Sequence, residues 1–213
     1  MEKLAIFDVD YTLTKRETLM EFYAFMIKKS PWLVMHAPRA VISAFLYMIK
    51  ILDSKTAKEN FIAFIGGIQE ERMQELVEEF YEKRLSKIIY KDAIDMIKKL
   101  KAEGYKIYLI SASAEFYLNE LYKIKEVDKI IGTVFTSLDG KYSRKIAGQN
   151  CKGEEKVRRL MKVLKEENIE VDFKNSYMFS DSLADLPLFN LVGKPYLINY
   201  KKNHDKIERL NWK

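Results

Sequence analysis

The stretch Lys3-Leu4-Ala5-Ile6-Phe7-Asp8-Val9-Asp10-Tyr11-Thr12 couples a short apolar run to two acids. Residues 3–7 are too few for a stable helix and too apolar for a loop, so they read as a buried strand. Asp8 and Asp10 follow at its end. Two carboxylates two residues apart at a strand terminus can point to the same side of a sheet edge. In an open parallel sheet that edge is where sites form.

Working outward, the pattern turns helical from Thr18 to about Tyr90. Phe22, Phe25 and Met26 recur at helical spacing, as do Val41, Phe45, Met48, Ile49 and Leu52. Leu76 and Phe80, with Lys83 and Arg84 outside, mark a third amphipathic helix, and Gly66-Gly67 punctuates the block. Past Asp92 helices and strands alternate. Residues 93–102 form a helix stopped by Gly104. Residues 105–110 form a strand, 114–123 a helix, and 132–136 a β segment. Asp139-Gly140 turns a hairpin into 141–146. A helix over 153–167 carries Val157, Leu160, Met161 and Leu164 on one face, and short strands follow at 176–179 and 196–198. Strands separated by helices imply a helix-covered parallel sheet. The expectation is an α/β protein with a Rossmann-like core made of residues 1–14 and 91–213. An all-α insert, 15–90, covers its active edge, and a small β-hairpin is appended.

Composition narrows the partners. The 213 residues carry 37 Lys+Arg against 31 Asp+Glu, a net charge of +6, which suits nucleic acid, anionic lipid or a phosphorylated small molecule. No aromatic-basic platform or zinc motif supports nucleic acid. The single cysteine, Cys151, excludes an internal disulfide and fits a reducing, cytoplasmic location. Arg39 and Lys50 interrupt the apolar region 30–52, leaving uncharged stretches too short to span a bilayer. Transient contact with a membrane surface, or with another subunit, stays open for that segment. Trp32, Met35, Phe45, Tyr47 and Met48 are expected mainly as core of the insert; spare aromatic surface there would suit a bulky or lipid phosphomonoester. His36 and His204 have no partner at ligand spacing, and Cys151 reads as a small packing residue.

Three strands end in chemically useful groups: Asp8 and Asp10, then Ser111, then Ser180 and Asp181 with Asp185 four residues on. Hard cations such as Mg²⁺ take few carboxylates together with phosphate and water. One carboxylate can then attack phosphorus while a second moves the proton. Structural alternatives exist for several of these residues. Thr12 suits a helix-entry cap, Ser111 and Ser113 both suit capping of the helix near Ala114, and Ser182 with Asp185 resembles a capping box.

Asp8-Val9-Asp10-Tyr11-Thr12, Ser111 within LISAS, the lysine of CKGEEK and Ser180-Asp181-Ser182-Leu183-Ala184-Asp185 resemble, in order and spacing, the four motifs of the haloacid dehalogenase superfamily. The insert after the first motif resembles a C1-type cap, and the whole is similar to the phosphoserine-phosphatase-like branch. The resemblance implies a phosphatase with Asp8 as nucleophile, forming an aspartyl-phosphate, and Asp10 as general acid/base. It implies Mg²⁺ held by Asp8, the Asp10 backbone carbonyl and Asp181, with Asp185 in support. It places Thr12 and Ser111 on the phosphate or its loop, and a lysine beside Asp8. Lys152 and Lys156 compete for that lysine; the C-x-G-x-x-K form and the apolar positions Leu160 and Val163 favour Lys156. Glu17 stands where phosphoserine phosphatases meet the substrate ammonium, and equally suits a first-turn acid.

Two departures bear on substrate: Tyr11 replaces a small residue, and Ser111-Ala112-Ser113 replaces Ser-Gly-Gly, which argues away from phosphoserine. The implied function is hydrolysis of a small phosphorylated metabolite or a lipid head-group phosphate. The alternative is a phosphoacceptor signalling module, or a phosphotransferase using Asp8 without efficient hydrolysis.

Overall fold

The computed structural model describes residues 1–202 and 204–213. In chain order its main elements are β1 (Leu4–Phe7), α1 (Thr18–Lys29), α2 (Ala37–Met48), α3 (Ser54–Phe61), α4 (Glu70–Lys83), α5 (Lys91–Ala102), β2 (Lys106–Ala114) and α6 (Glu115–Leu118). Then come β3 (Val127–Thr133), β4 (Phe135–Leu138), β5 (Lys141–Ile146), α7 (Glu154–Glu166), β6 (Tyr177–Ser180), α8 (Leu186–Phe189), β7 (Lys194–Ile198) and β8 (Glu208–Leu210). Short 3₁₀ turns link several of them.

Six strands form one sheet in the order β3-β2-β1-β6-β7-β8, and every pairing in it is parallel. β1 lies between β2 and β6, with Phe7 opposite both Leu109 and Phe179. All four β1 residues are buried, as a strand covered on both faces requires. On one face Phe7 stacks on Phe179 at 4.6 Å between centroids, and Trp212 packs against both rings. On the other, Leu4 and Ile6 join Leu160, Leu164, Met178 and Leu188. The turn before β7 needs a bare backbone: a Cβ on Gly193 would stand 1.9 Å from the Lys174 carbonyl oxygen. The result is the expected α/β architecture, a Rossmann-like sheet whose first strand is central.

The helical segment between β1 and α5 contains four α-helices where three periodic stretches were read. α3 escaped notice because it is polar; Asp53 starts it, its carboxylate accepting from the Lys55 and Thr56 amides. β2 runs four residues past Ile110, so Ser111 and Ser113 sit on a strand and cap no helix. The segment 132–136 is divided between β3, which joins the main sheet, and β4, which pairs with β5 in the hairpin. β8 was missed because its sequence, Glu208-Arg209-Leu210, is mostly charged, as an edge strand tolerates.

Two burial expectations are corrected. Trp32, Met35, Phe45, Tyr47 and Met48 are exposed, not core; Leu33 and Ala40 are the neighbours that turn inward. The buried face of α7 carries Lys156, Leu160 and Leu164, and Met161 points to solvent.

Candidate active site

The carboxyl ends of β1, β2 and β6 lie side by side, and the loops leaving them form the floor of a cavity of about 410 Å³. Asp8, Asp10, Ser111, Lys156, Asp181 and Asp185 line this floor. The helical segment supplies the other wall, with Ala40, Ala44 and Tyr47 from α2 and Ala57, Lys58 and Phe61 from α3. Glu17 lines it too. Seven of the eight residues singled out in the sequence therefore converge on one space, of a size that suits a small-molecule ligand.

The exception is Thr12, which does not line the cavity. It is fully buried, and its hydroxyl accepts the Asp181 N–H at 2.8 Å. Direct phosphate contact is thus replaced by a tie between the loops after β1 and β6. Between Asp10 and Thr12 the chain passes through a left-handed conformation at Tyr11, φ 57°, which leaves this ring half exposed at the rim.

Lys156 decides the electrostatics. Gly153 precedes α7 with φ 58° and ψ −126°, a conformation reserved almost wholly for glycine, and the helix then aims Lys156 inward. Its ammonium donates to Asp8 Oδ1 at 2.6 Å and Asp185 Oδ2 at 2.8 Å. Ser180 Oγ donates to the same Asp185 oxygen at 2.7 Å. Burial works against the Lys156 charge, but the two carboxylates outweigh it and hold the pKa above its usual range. Lys152 lies at the rim, its Nζ 3.1 Å from the Tyr47 hydroxyl. Of the two lysines, Lys156 reaches Asp8 and Lys152 does not.

Asp10 is held differently. The first amide of α1, Thr18 N, donates to Oδ1 at 2.7 Å, and Ser113 Oγ donates to Oδ2 at 2.6 Å. Its carboxyl group therefore sits at the N-terminus of α1. Ser111 Oγ accepts the Ser113 amide at 3.0 Å, which leaves its own proton free to donate into the cavity.

Sequence reasoning missed three contributors. Ser113, considered only as a cap, orients Asp10. Lys58 reaches from α3 to the Ala112 carbonyl at 2.6 Å, and burial depresses its pKa despite Asp10 and Glu17 nearby. Asn150 lines the cavity while accepting from Thr133 Oγ1 at 2.9 Å. A helical lysine and a loop asparagine carry no local signal; only the packing of α3 over β2 assigns them.

Five acids and three lysines line the cavity, so negative charge is in excess. Burial pushes Asp8 up to about 8, opposed by Lys156 and reinforced by Asp185 and Asp10. Burial likewise lifts Asp181 to about 6, with Asp185 and Asp10 adding to it. Such a set is short of positive charge, and its donors are hard oxygens, as a divalent cation such as Mg²⁺ prefers. Among the described residues no three acidic, His or Cys side chains gather as a complete cage. Asp10 has turned its carboxylate to Thr18 and Ser113, so its backbone carbonyl, with Asp8 and Asp181, could hold such an ion.

The haloacid dehalogenase-like hydrolase profile matches residues 5–190, and the chain belongs to that family. It is thus an enzyme of hydrolase type. A histidinol-phosphatase from Neisseria meningitidis serogroup C is 28% identical over 93% of this chain and 91% of its own length. Among solved structures, a protein of unknown function from Bordetella pertussis Tohama I superposes with a TM-score of 0.85 at 23% identity, covering 94% of this chain and 92% of that one. A substrate-bound phosphoserine phosphatase superposes with a TM-score of 0.66 at 19% identity, covering 94% and 88%. The fold is therefore the one phosphoserine phosphatases share, and phosphatase is the activity that the named relatives have in common.

Proposed function

We propose that the protein is a cytoplasmic, Mg²⁺-dependent phosphomonoesterase that works through an aspartyl-phosphate on Asp8. Residues 15–90 serve as the cap of a core made of 1–14 and 91–213. The observation that carries this reading is the pairing of Asp8 with buried Lys156 at 2.6 Å, which offsets the carboxylate's charge so that it can approach a phosphate.

Lys156 occupies Asp8 Oδ1, so Oδ2 is the oxygen left to attack phosphorus. Ser111 and Lys156 bind the phosphoryl oxygens as charge shifts onto them. Asp10, fixed by Thr18 and Ser113, enters the reaction in its acid form and passes that proton to the departing alkoxide; the carboxylate so formed then takes a proton from water, which attacks the phosphorus of phospho-Asp8 and frees it. A Mg²⁺ held by Asp8, the Asp10 carbonyl and Asp181 would screen the negative charge between nucleophile and phosphate. Asp185 contributes by holding Lys156 in place, and Thr12 by fixing the Asp181 loop.

The substrate is a phosphorylated small molecule; a metabolite phosphomonoester or a lipid head-group phosphate fits the half-apolar cavity. Glu17 favours one that carries an ammonium group, a feature shared by phosphoserine and histidinol phosphate. The test is Mg²⁺-dependent release of phosphate from an aryl phosphate, then a screen across phosphoserine, histidinol phosphate, sugar phosphates and lipid phosphates. Asp8→Asn is expected to abolish turnover, and Asp10→Asn to slow it by about 10²–10⁴-fold. Near-normal turnover by Asp8→Asn overturns the reading. Stoichiometric labelling of Asp8 without steady turnover identifies a phosphoacceptor instead.

A further inference from the structure

We propose that α2 and the turn before it form a docking face for an anionic lipid bilayer. Along α2, Val41, Phe45 and Met48 follow one another at helical spacing, flanked by Ile42 and Ile49, and all five are at least 45% exposed. They form an arc of about 120° around the helix. Trp32 and Met35, just before α2, are 64% and 77% exposed. Isolated apolar residues on a surface are ordinary; a stripe of this length on one short helix is not. No helix among the described residues is long and apolar enough to cross a membrane, so the fitting geometry is a helix lying in the interface.

Charge selects the occupant. From Ser30 to Leu52 there is no Asp or Glu, while Arg39 and Lys50 are present. Arg39 and Lys50 stand near opposite ends of α2 and both are exposed. A second copy docking through this face would set cation against cation, since a two-fold interface pairs the same patch with itself. An anionic bilayer receives both the apolar stripe and the cations. The adjoining stripe of α2, Ala40, Ala44 and Tyr47, lines the cavity, so docking brings the cavity mouth to the level of the lipid head groups.

The experiment is co-sedimentation of the full chain with phosphatidylcholine vesicles, alone or carrying about one-third phosphatidylglycerol. Binding is expected to the mixed vesicles and to fall as salt is raised. Arg39→Gln with Lys50→Gln should weaken it about 25-fold, roughly five-fold per cation. Phe45→Ser with Met48→Ser should abolish it, with helical circular dichroism and melting temperature unchanged, because both side chains are already in solvent. Failure to bind mixed vesicles, or binding indifferent to both double variants, overturns the proposal. So does a dimer in sedimentation equilibrium that Phe45→Ser with Met48→Ser dissolves, which would assign the face to a second copy. No readout depends on phosphatase activity.

Discussion

Replacing Lys156 by Met removes the cation shared by Asp8 and Asp185 while keeping most of the side-chain volume. The Lys156 side chain is 3% exposed, and its partners are 10% and 5% exposed, so solvent cannot take over its role. A solvated ion pair would cost about 0–1 kcal/mol to break. Removing one partner from a buried pair costs about 3–5 kcal/mol, because the remaining charges are left without compensation. The expected loss for Lys156→Met is therefore about 3–5 kcal/mol in metal-free protein at about pH 9, above the raised value of Asp8, where both carboxylates are charged. The assay is urea unfolding followed through Trp212, which packs on the Phe7–Phe179 pair and reports on the core directly. Adding Asp185→Asn should recover about 1–3 kcal/mol of that loss, since it withdraws one stranded charge. Lys152→Met, at the rim, should change stability by less than about 0.5 kcal/mol. A loss below about 1 kcal/mol for Lys156→Met, or strict additivity with Asp185→Asn, would refute the idea that one lysine neutralises this site.

Gly153→Ala forces a side chain into φ 58°, ψ −126°; nothing stands closer than 3.9 Å, so the cost is backbone strain of about 1–3 kcal/mol, read by thermal unfolding. Cys151 is fully buried and its thiol is pushed up to about 11 by burial, so thiol-disulfide reagents at pH 8 should label the native chain at least about 100-fold more slowly than the urea-unfolded one. Burial and the neighbouring Asp10 raise Glu17 to about 7. A carboxyl raised on folding holds its proton more tightly in the native state, so stability falls as pH rises from the unfolded value towards about 7. Glu17→Gln should thus be more stable than wild type by about 1 kcal/mol at pH 8, allowing for its partial solvent contact, and equal to it near pH 4 by chemical denaturation.

The features legible in the sequence were those written locally. A four-residue apolar run, Leu4 to Phe7, that stops at Asp8 and Asp10 announces both a buried strand and the site at its end. The same holds for Ser111, directly after an apolar run, and for Asp181, one residue beyond another. Lys156 was less plain, because Lys152 sits on the same helical approach; only the backward turn at Gly153 separates a lysine that reaches Asp8 from one that meets Tyr47. Lys58 and Ser113 depend on which elements touch after folding, and nothing in their own neighbourhoods reveals it. α2 shows a different limit. Its periodic apolar residues imply a covered face, but periodicity does not say by what, and this chain leaves Phe45 and Met48 uncovered.

The placement of β1 between β2 and β6 has a consequence for how the molecule comes into being. During synthesis β1 emerges well before either neighbour, and Leu4 must wait for Ser176, 172 residues later, to receive its amide hydrogen bond. Asp8 waits 148 residues for Lys156. Such distant closures are slow, and an unpaired apolar strand is exposed to misassociation until they occur. The nascent chain therefore carries Asp8 long before β6 has left the ribosome and the charged groups around it can assemble. Formation of this cluster is in this way timed to the completion of the sheet, and a chain cut short before residue 177 would hold Asp8 without Asp181 and Asp185.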